Sequence, residues 1–432
     1  MILAVDLGST TFKAGVFDDV PALRGSGSRP LRYRYGPGGC VELEAEEVTS
    51  AFRHAIRAAI DEANVPPEAI HALAVTSQAQ TFTVVDPAGR AKMPFISWQD
   101  TRAQETCRAL QGEPALRDFG EHASFGDMLA VLEICQLKHL QTTQPGALAP
   151  EDRVFSLPTY LVHRCTGAVA TDDNLAAMSG LYSLALEDWW PAALEVCRIR
   201  REQLPKVVPV GSVAAHTGRG SRGLGLPEGI PVVLAGNDQT AGAFGAELHE
   251  KGSLLITLGT AQVAYACTQE ISAPDPALIR GPYPGGRGYR MAADSCGGNV
   301  INWARGILPR CETDSAFFAR VDSAEPGCRG LVFDAELPAG EGAWRNVAFH
   351  HAPAEFARSV VEGLVRRMAD MVRRLDVDRS AAKILVAGGG SRSATWVKLL
   401  ADVLGTPLTV TEADPLSGAA RMALASDLRG TD

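Results

Sequence analysis

The chain has 432 residues, a length that fits two or three domains with their own apolar cores. With 46% apolar and 21% charged residues, its composition is that of an ordinary globular protein, which excludes disordered and fibrous classes. The formal charge is -9 and no clustered basic stripe occurs along the chain, so nucleic acid and anionic membranes are disfavoured as partners.

The nine cysteines are widely spaced and form no C-x-x-C pair, which argues against a disulfide framework and against a zinc site. The first residues lack the positive region of a signal peptide, and no apolar run approaches the length of a membrane helix. We therefore expect a reduced, soluble, cytoplasmic protein that interacts with no membrane.

The first half of the chain begins with a predicted β-hairpin. Two apolar runs, Ile2–Val5 and Phe12–Phe17, flank a turn of glycine and hydroxyl residues. The helical spacing of apolar residues predicts a helix over 46–60, and a predicted strand over 72–76 leads into a polar loop. Residues 105–205 are predicted to be mostly helices and loops.

The pattern of the first hairpin recurs in the second half. Before the repeat, the sequence predicts a buried strand over 231–235 and a helix of small residues from about 237 to 246. Then Leu258-Gly259-Thr260 stands between two apolar runs, as Leu7-Gly8-Ser9 does near the N-terminus. A repeat of this kind predicts two related domains with a boundary near 246–252, although a match of about a dozen residues also arises by chance.

The C-terminal part combines a strand, a glycine turn and a helix. An amphipathic helix over 353–375 precedes a strand over 384–387, the run Gly388–Gly390 and a helix over 394–404. This order lets backbone N–H groups and a helix N-terminus face a phosphate. The full G-x-G-x-x-G spacing and a following acid are missing, so a dinucleotide site, and with it a nicotinamide dehydrogenase, is disfavoured.

The turn Asp6–Thr11 is the first candidate site. It offers a carboxylate, backbone donors and three hydroxyls, and Lys13 follows it. Hydroxyls, amides and a cation suit phosphate oxygens, and Asp6 suits a hydrated Mg²⁺ ion. The simpler interpretation is a hairpin turn that uses Gly, Ser and Thr for geometry alone, and the similar turns at Gly259–Thr260 and Gly388–Gly390 weaken it.

Asp238 is the second candidate. It follows a predicted strand and begins a helix, so its carboxylate points out of the C-terminal end of a sheet, where ligands of open α/β sheets bind. As a general base it would accept the proton of a hydroxyl that attacks a γ-phosphoryl group. The alternative for Asp238 is an N-cap, which is a purely structural role.

The segments 77–80 and 98–102 form the third candidate. Their amides, indole, carboxylate and guanidinium suit a neutral polyhydroxylated ligand. The alternative is an ordinary surface loop, with Trp98 buried against it and with Asp100 and Arg102 as an exposed ion pair. The residues alone do not separate these two interpretations.

Taken in order, these segments resemble the FGGY carbohydrate kinase family, which includes xylulokinases and glycerol kinases. The resemblance spans nearly the whole chain and is carried by Asp6-Leu-Gly-Ser-Thr-Thr-Phe-Lys13, Ser77-Gln-Ala-Gln80, Trp98-Gln-Asp-Thr-Arg102, Gly236-Asn-Asp238-Gln239, Leu258-Gly-Thr260, Gly297-Gly298 with Asn302-Trp303, and Gly388-Gly-Gly-Ser391. No single motif is specific, but the ordered set is.

The resemblance implies two actin-like, ribonuclease H-like α/β domains, 1–246 and 247–432, with a deep interdomain cleft. It implies that ATP and Mg²⁺ are the cofactors, that Asp238 is the catalytic base and that Asp6 is the carboxylate associated with Mg²⁺. Phosphate and nucleotide contacts are implied for Gly8, Thr10, Thr11, Lys13, Gly259, Thr260, Gly298, Asn302, Gly388, Gly389 and Gly390. Contacts with the sugar or polyol are implied for Ala79, Gln80, Trp98, Asp238 and Gln239.

Some positions depart from the family pattern. Xylulokinases have His and glycerol kinases have Glu where Gln80 lies, and Lys13 replaces an Arg of glycerol kinases. The family's Gly-Glu-Arg-x-Pro stretch is not recognisable over 331–344. The leading hypothesis is an ATP-dependent kinase for a ketose or polyol; the competing one is an actin-like ATP-binding module that transfers no phosphate. The sequence leaves open whether the protein forms a homodimer.

Overall fold

The computed structural model describes four stretches of the chain, 1–248, 252–336, 341–377 and 383–426. The chain divides into two compact units. The first consists of 1–247, 269–289 and the described residues from 413 onward, and the second of the described residues within 248–268 and 290–412. Residues 249–251, inside the predicted boundary region, lie outside the described stretches. The domain division 1–246 and 247–432 stays a prediction.

The strands of the described residues are short and distributed over both units. They are β1 (Ile2–Leu7), β2 (Thr11–Phe17), β3 (Leu23–Pro30), β4 (Arg34–Gly36), β5 (Cys40–Leu43), β6 (Ala72–Ser77), β7 (Phe82–Val85), β8 (Phe95–Ile96), β9 (Arg153–Ser156), β10 (Ala170–Asp172), β11 (Tyr182–Ser183), β12 (Asp188–Trp189), β13 (Lys206–Val208), β14 (Val213–His216), β15 (Pro231–Asn237), β16 (Leu254–Leu258), β17 (Gln262–Thr268), β18 (Ile279–Tyr283), β19 (Arg287–Asp294), β20 (Val332–Glu336), β21 (Glu341–Arg345), β22 (Ile384–Ala387) and β23 (Thr409–Val410).

The α-helices range from one turn to six. They are α1 (Ala45–Ala63), α2 (Gln104–Gln111), α3 (Phe119–His122), α4 (Glu133–Thr143), α5 (Leu157–Thr166), α6 (Asp173–Ala177), α7 (Pro191–Val196), α8 (Asp238–Gly245), α9 (Gly298–Ile307), α10 (Asp314–Ser323), α11 (Pro353–Arg374), α12 (Ala394–Leu404) and α13 (Pro415–Ala425). Within the described part of the chain, no helix combines the length and apolar character that a membrane crossing requires.

The first unit is organised around a six-stranded sheet in the order β14-β15-β6-β1-β2-β3. In β1, Leu3 and Val5 face a core that includes residues of α1, whereas Ile2 and Ala4 face a core that includes residues of α13. Strand side chains alternate between faces, so a strand covered on both sides must be apolar throughout. This explains the unbroken apolar run at the N-terminus.

Three parallel strands end side by side in this sheet. β1 is parallel to β6 with Leu7 opposite Ser77, and β15 is parallel to β6 with Asn237 also opposite Ser77. The chain therefore leaves the sheet at one edge three times: into the turn after Asp6, into the loop after Ser77, and into α8 at Asp238. This edge is where open α/β sheets bind ligands.

The second unit repeats the strand pairing of the first. β16 is antiparallel to β17 and parallel to β22, as β1 is antiparallel to β2 and parallel to β6. The predicted repeat is thus confirmed at the level of strand pairing. The predicted strand over 384–387 and helix over 394–404 are β22 and α12. Residues 332–336 and 341–345 pair as β20 and β21, while 337–340 lie outside the described residues.

Candidate active site

Asp6 lies near the end of β1, buried at 6% exposure. Its register partner across the β1–β2 pair is Lys13, whose side chain is exposed. Burial and the nearby Asp238 and Asp414 carboxylates, opposed by Lys13, together raise the pKa of Asp6 to about 7. Oδ1 of Asp6 is buried and has no hydrogen-bond partner among the described residues. Asp6 is thus a carboxylate with an unused acceptor.

The turn that follows Asp6 is tight, and it accepts a hydrogen bond from the loop after β6. A Cβ atom at Gly8 would lie 2.9 Å from the carbonyl oxygen of Thr11, so only glycine fits there. The side-chain Nε2 of Gln78 donates to the carbonyl of Gly8 at 3.3 Å. Thr10 is exposed and Thr11 half-buried, which leaves both residues accessible from solvent.

Asp238 is the first residue of α8, but Asn237 caps the helix. The side-chain oxygen of Asn237 accepts a hydrogen bond from the backbone N–H of Thr240 at 2.7 Å. The alternative that Asp238 is the N-cap is therefore wrong. The half-buried carboxylate of Asp238 accepts a hydrogen bond from the backbone N–H of Gln239 at 2.8 Å, and burial raises its pKa.

Gln80 and Trp98 lie in the same unit as Asp238. Gln80 has a positive φ of 56°, which is strained for a non-glycine residue, and its Nε2 donates to the carbonyl of Met178 at 3.3 Å. Trp98 is 38% exposed, and its backbone N–H donates to Oγ1 of Thr81 at 3.2 Å. The alternative that Trp98 is buried against its loop is therefore wrong. Ala79 is half-buried.

Asp100 and Arg102 form an ion pair, but not the exposed pair of the alternative interpretation. Asp100 is fully buried, and its Oδ2 accepts a hydrogen bond from the backbone N–H of Val41 at 2.8 Å. The guanidinium of Arg102 lies 2.8 Å from Asp100 and 2.9 Å from Glu42. These charges are satisfied within the protein, so they hold the loop that carries Trp98.

A cavity of about 830 Å³ lies within the second unit. Six predicted nucleotide contacts line it: Gly259, Thr260, Gly298, Asn302, Gly389 and Gly390. The cavity is also lined by residues that motif reasoning missed, among them Phe318, Asp322, Arg392 and Trp396. Residues of α10 carried no glycine or hydroxyl pattern that would have identified them beforehand.

The glycines that follow β22 have different structural reasons. Gly388 has a φ of +88°, and a Cβ atom there would lie 2.7 Å from the carbonyl oxygen of Leu258. A Cβ atom at Gly390 would lie 2.6 Å from the ring of Trp396, whereas one at Gly389 would meet nothing within 4 Å. Gly388 does not line the described cavity, while Gly389 and Gly390 do.

The structure thus groups the candidate residues in two sets. The set in the first unit is Asp6, Gly8, Thr10, Thr11, Lys13, Ala79, Gln80, Trp98, Asp238 and Gln239. The set in the second unit is Gly259, Thr260, Gly298, Asn302, Gly388, Gly389 and Gly390. Sequence reasoning missed Asn174, which is fully buried and contacts the start of α8. The polar run Asp172–Asn174 offered only a helix-start signal.

The described residues contain no group of three or more His, Cys, Asp or Glu side chains arranged to hold a metal ion. Mg²⁺, however, usually keeps several waters and binds through one or two carboxylates together with substrate phosphates. The unsatisfied Oδ1 of buried Asp6 fits a ligand of this kind. The residues present are therefore compatible with Mg²⁺ at Asp6.

Two family models match the chain. The N-terminal domain of the FGGY family of carbohydrate kinases matches residues 1–245, and the C-terminal domain of the same family matches residues 254–426. The resemblance inferred from the ordered motifs is confirmed.

Curated relatives and solved structures agree with this match. The xylulose kinase of Escherichia coli (strain K12) is 26% identical over 450 residues, covering 98% of this chain and 89% of that protein. A glycerol kinase of Deinococcus radiodurans is 27% identical over 446 residues, covering 97% and 87%. The ligand-bound xylulose kinase of Lactobacillus acidophilus superposes with a TM-score of 0.89 at 20% identity, covering 98% and 88%. The predicted fold class of two actin-like, ribonuclease H-like α/β domains is confirmed.

Proposed function

Because the chain belongs to the FGGY family of carbohydrate kinases, it is a phosphotransferase that uses ATP to phosphorylate a hydroxyl group of a sugar or polyol, and we propose that Asp238 is the general base. In such a transfer the γ-phosphoryl group passes in line to the acceptor oxygen, so the protein mainly positions groups and balances charge. The Asp238 carboxylate accepts the proton of the acceptor hydroxyl as its oxygen attacks.

The observation that carries this proposal is that Asp238 stands at the start of α8 without serving as its cap. Asn237 satisfies the helix N-terminus, so the Asp238 carboxylate is not consumed by that role. Burial raises the pKa of Asp238, which makes its ionised form a stronger base than a solvated carboxylate. Strand β15 directs this residue to the edge where β1 and β6 also end.

We propose Asp6 as the carboxylate that holds Mg²⁺, through its unsatisfied buried oxygen. Bound there, the ion would neutralise negative charge on the phosphate oxygens. The exposed ammonium of Lys13 and the hydroxyls of Thr10 and Thr11 are available to donate to the same kind of oxygen. Gly8 allows the tight turn that brings these donors together.

We propose the cavity of the second unit as the binding site for the nucleotide. The backbone at Gly389 is open to an approaching phosphate because no atom lies within 4 Å of the position of a side chain. Gly298 begins α9, and its N–H donates to the carbonyl of Gly259 at 2.9 Å, which fixes the turn that presents Thr260. A strand, a glycine turn and a helix start suit an anionic ligand.

We propose that the acceptor is a neutral ketose or polyol. Its proposed contacts are Ala79, Gln80, Trp98 and Gln239, which offer two amides, an indole and a small apolar side chain, and none of them carries a charge. Such groups suit hydroxyls and the apolar face of a sugar rather than a carboxylate or phosphate.

For the oligomeric state we propose a homodimer, which light scattering would test.

The test is ADP release from ATP and Mg²⁺ across a panel of ketoses, polyols and glycerol. We expect at least one neutral acceptor to stimulate ADP release, and Asp238→Asn to lose most of that stimulation while ATP binding survives. Glu133→Gln is the matched control, since Glu133 is a buried carboxyl of the same unit with a raised pKa.

Full acceptor-dependent ADP release by Asp238→Asn would contradict the assignment of the base. If no acceptor stimulates the unmodified protein, the competing hypothesis of an ATP-binding module that transfers no phosphate replaces the proposal. Stimulation that Glu133→Gln also loses would show that the loss in Asp238→Asn is a general effect of removing a buried charge.

A further inference from the structure

The short helix α6 contacts the backbone that carries Asp238. Asn174, within α6, is fully buried. Its Oδ1 accepts a hydrogen bond from the backbone N–H of Asn237 at 2.9 Å, and its Nδ2 donates to Oγ1 of Thr240 at 3.0 Å. These two partners lie on either side of Asp238 along the chain. One side chain therefore holds both ends of the segment that presents the proposed base.

The chemistry of this contact requires a carboxamide. Besides Thr240, Nδ2 of Asn174 donates to the carbonyl of Pro282 at 2.8 Å, so the side chain accepts once and donates twice. A carboxylate in this place would set an oxygen against the carbonyl of Pro282. An apolar side chain would leave that carbonyl and the N–H of Asn237 without this partner in a buried place, which costs about 1 to 3 kcal/mol for each group.

The backbone before Asp238 is fitted closely to the same amide. Gly236 has a φ of +69°, and a Cβ atom there would lie 3.0 Å from Oδ1 of Asn174 and 2.9 Å from a methyl group of Val210. The carbonyl of Gly236 accepts a hydrogen bond from Oγ1 of Thr76 at 2.9 Å. The turn from β15 into α8 is therefore fixed from two sides, with Asn174 on one of them.

The residue after α6 reaches the proposed sugar contact. The carbonyl of Met178 accepts the hydrogen bond from Nε2 of Gln80, and its Sδ lies 2.8 Å from Nδ2 of Asn237. The segment 174–178 thus contacts Gln80 at one end and the start of α8 at the other. A displacement of this segment would change the distance between a bound acceptor and Asp238.

We propose that Asn174 is a positioning residue for phosphoryl transfer, which fixes the Asp238 carboxylate at the distance from the acceptor hydroxyl that proton transfer needs. The inference rests on the proposed role of Asp238. A group that fixes a reacting side chain acts on the transition state, so its loss lowers kcat and leaves the binding of a distant substrate unchanged. Asn174 and the proposed nucleotide cavity belong to different units.

The experiment measures kcat, the KM for ATP and thermal stability in Asn174→Ala and in Gln203→Ala. Gln203 is a matched control because it is a buried carboxamide of the same unit that accepts from the N–H of Arg200 and donates to the carbonyls of Ala149 and Asp152, each at 3.0 Å. We expect both variants to lose stability. Asn174→Ala should lose about 10- to 100-fold in kcat with an unchanged KM for ATP, and Gln203→Ala should keep its kcat.

A second pair of variants keeps the proposal testable if Asn174→Ala does not fold. Thr240→Val removes the hydroxyl that accepts from Asn174 and conserves shape, whereas Thr240→Ser keeps the hydroxyl. We expect Thr240→Val to lower kcat and Thr240→Ser to restore it. In the background of Asp238→Asn, adding Asn174→Ala should not reduce the residual turnover further.

Two results would overturn the inference, and they are distinguishable. The positioning role alone would be refuted if Asp238→Asn loses turnover while both Asn174→Ala and Thr240→Val keep the same kcat as the control variant Gln203→Ala. Full turnover in Asp238→Asn would refute the assignment of the base, and the positioning role with it.

Discussion

Gly388 packs against the backbone of Leu258: a Cβ atom at Gly388 would lie 2.7 Å from the carbonyl oxygen of Leu258, and the φ of Gly388 is +88°. A Cβ atom at the neighbouring Gly389 would meet nothing within 4 Å, and Gly389 lines the cavity of the second unit. Gly388 is therefore required by the fold, whereas Gly389 is not, and access of a nucleotide to the backbone is our proposal for Gly389.

We expect Gly389→Ala to fold with an unchanged Tm and to raise the KM for ATP, because its methyl group would occupy space that a phosphate must approach. Gly388→Ala should lower stability by about 1 to 3 kcal/mol, because alanine is strained at positive φ and its methyl group would clash with Leu258. Thermal melts and ATP titrations check both. An unchanged KM in Gly389→Ala would contradict the proposed path of the nucleotide.

Asn237 and Asp238 are neighbours with separable roles. Asn237→Ala should lower the free energy of unfolding by about 1 kcal/mol through loss of the cap on Thr240. Asp238→Asn should leave stability at pH 8 unchanged or increased, since burial disfavours the charged form, while it removes most of the acceptor-dependent turnover. Urea denaturation and ADP release provide the two measurements. A large loss of stability in Asp238→Asn would indicate a structural carboxylate instead.

Trp98 and Asp100 lie two residues apart and are predicted to affect different quantities. Trp98→Ala should raise the KM for the acceptor about tenfold and leave the KM for ATP unchanged, because the indole is partly exposed and available to a sugar face. Asp100→Ala should lower stability by about 3 kcal/mol, because it leaves the guanidinium of Arg102 with Glu42 as its remaining carboxylate. Initial rates and thermal melts check this contrast, and an unchanged acceptor KM in Trp98→Ala would exclude the sugar contact.

Glu133 predicts a pH dependence of stability. Burial raises its pKa from 4.5 to about 7, so the folded protein favours the protonated form. The folded protein is therefore more stable at low pH than at high pH. This extra stability is fully present below pH 4.5 and is lost as the pH rises towards about 7, where Glu133 becomes ionised in both the folded and the unfolded state. Glu133→Gln should therefore stabilise the protein at pH 8 by at most about 3 kcal/mol and should have no effect at pH 4. Urea denaturation at both pH values checks it, and an equal gain at pH 4 would contradict this cause.

Much of the fold was predictable from local patterns. The strand over 384–387 and the helix over 394–404 have the predicted bounds, and the helix predicted over 353–375 spans Pro353–Arg374. Apolar periodicity identifies such elements because the buried side chains of a helix or strand recur at the regular spacing of that element. The order of short motifs was likewise sufficient to identify the family, since a motif is a property of consecutive residues.

The partner of each polar side chain was not predictable in this way. Asn237 rather than Asp238 caps α8, Asp100 is buried while Trp98 is partly exposed, and Asn174 reaches the start of α8 across more than sixty positions of sequence. The sequence by itself determined the strongly patterned elements, the glycine turns and the family. The tertiary structure alone decided which of several similar acids and amides caps a helix, which is buried and which is exposed, because burial and hydrogen-bond partners depend on residues that are distant along the chain.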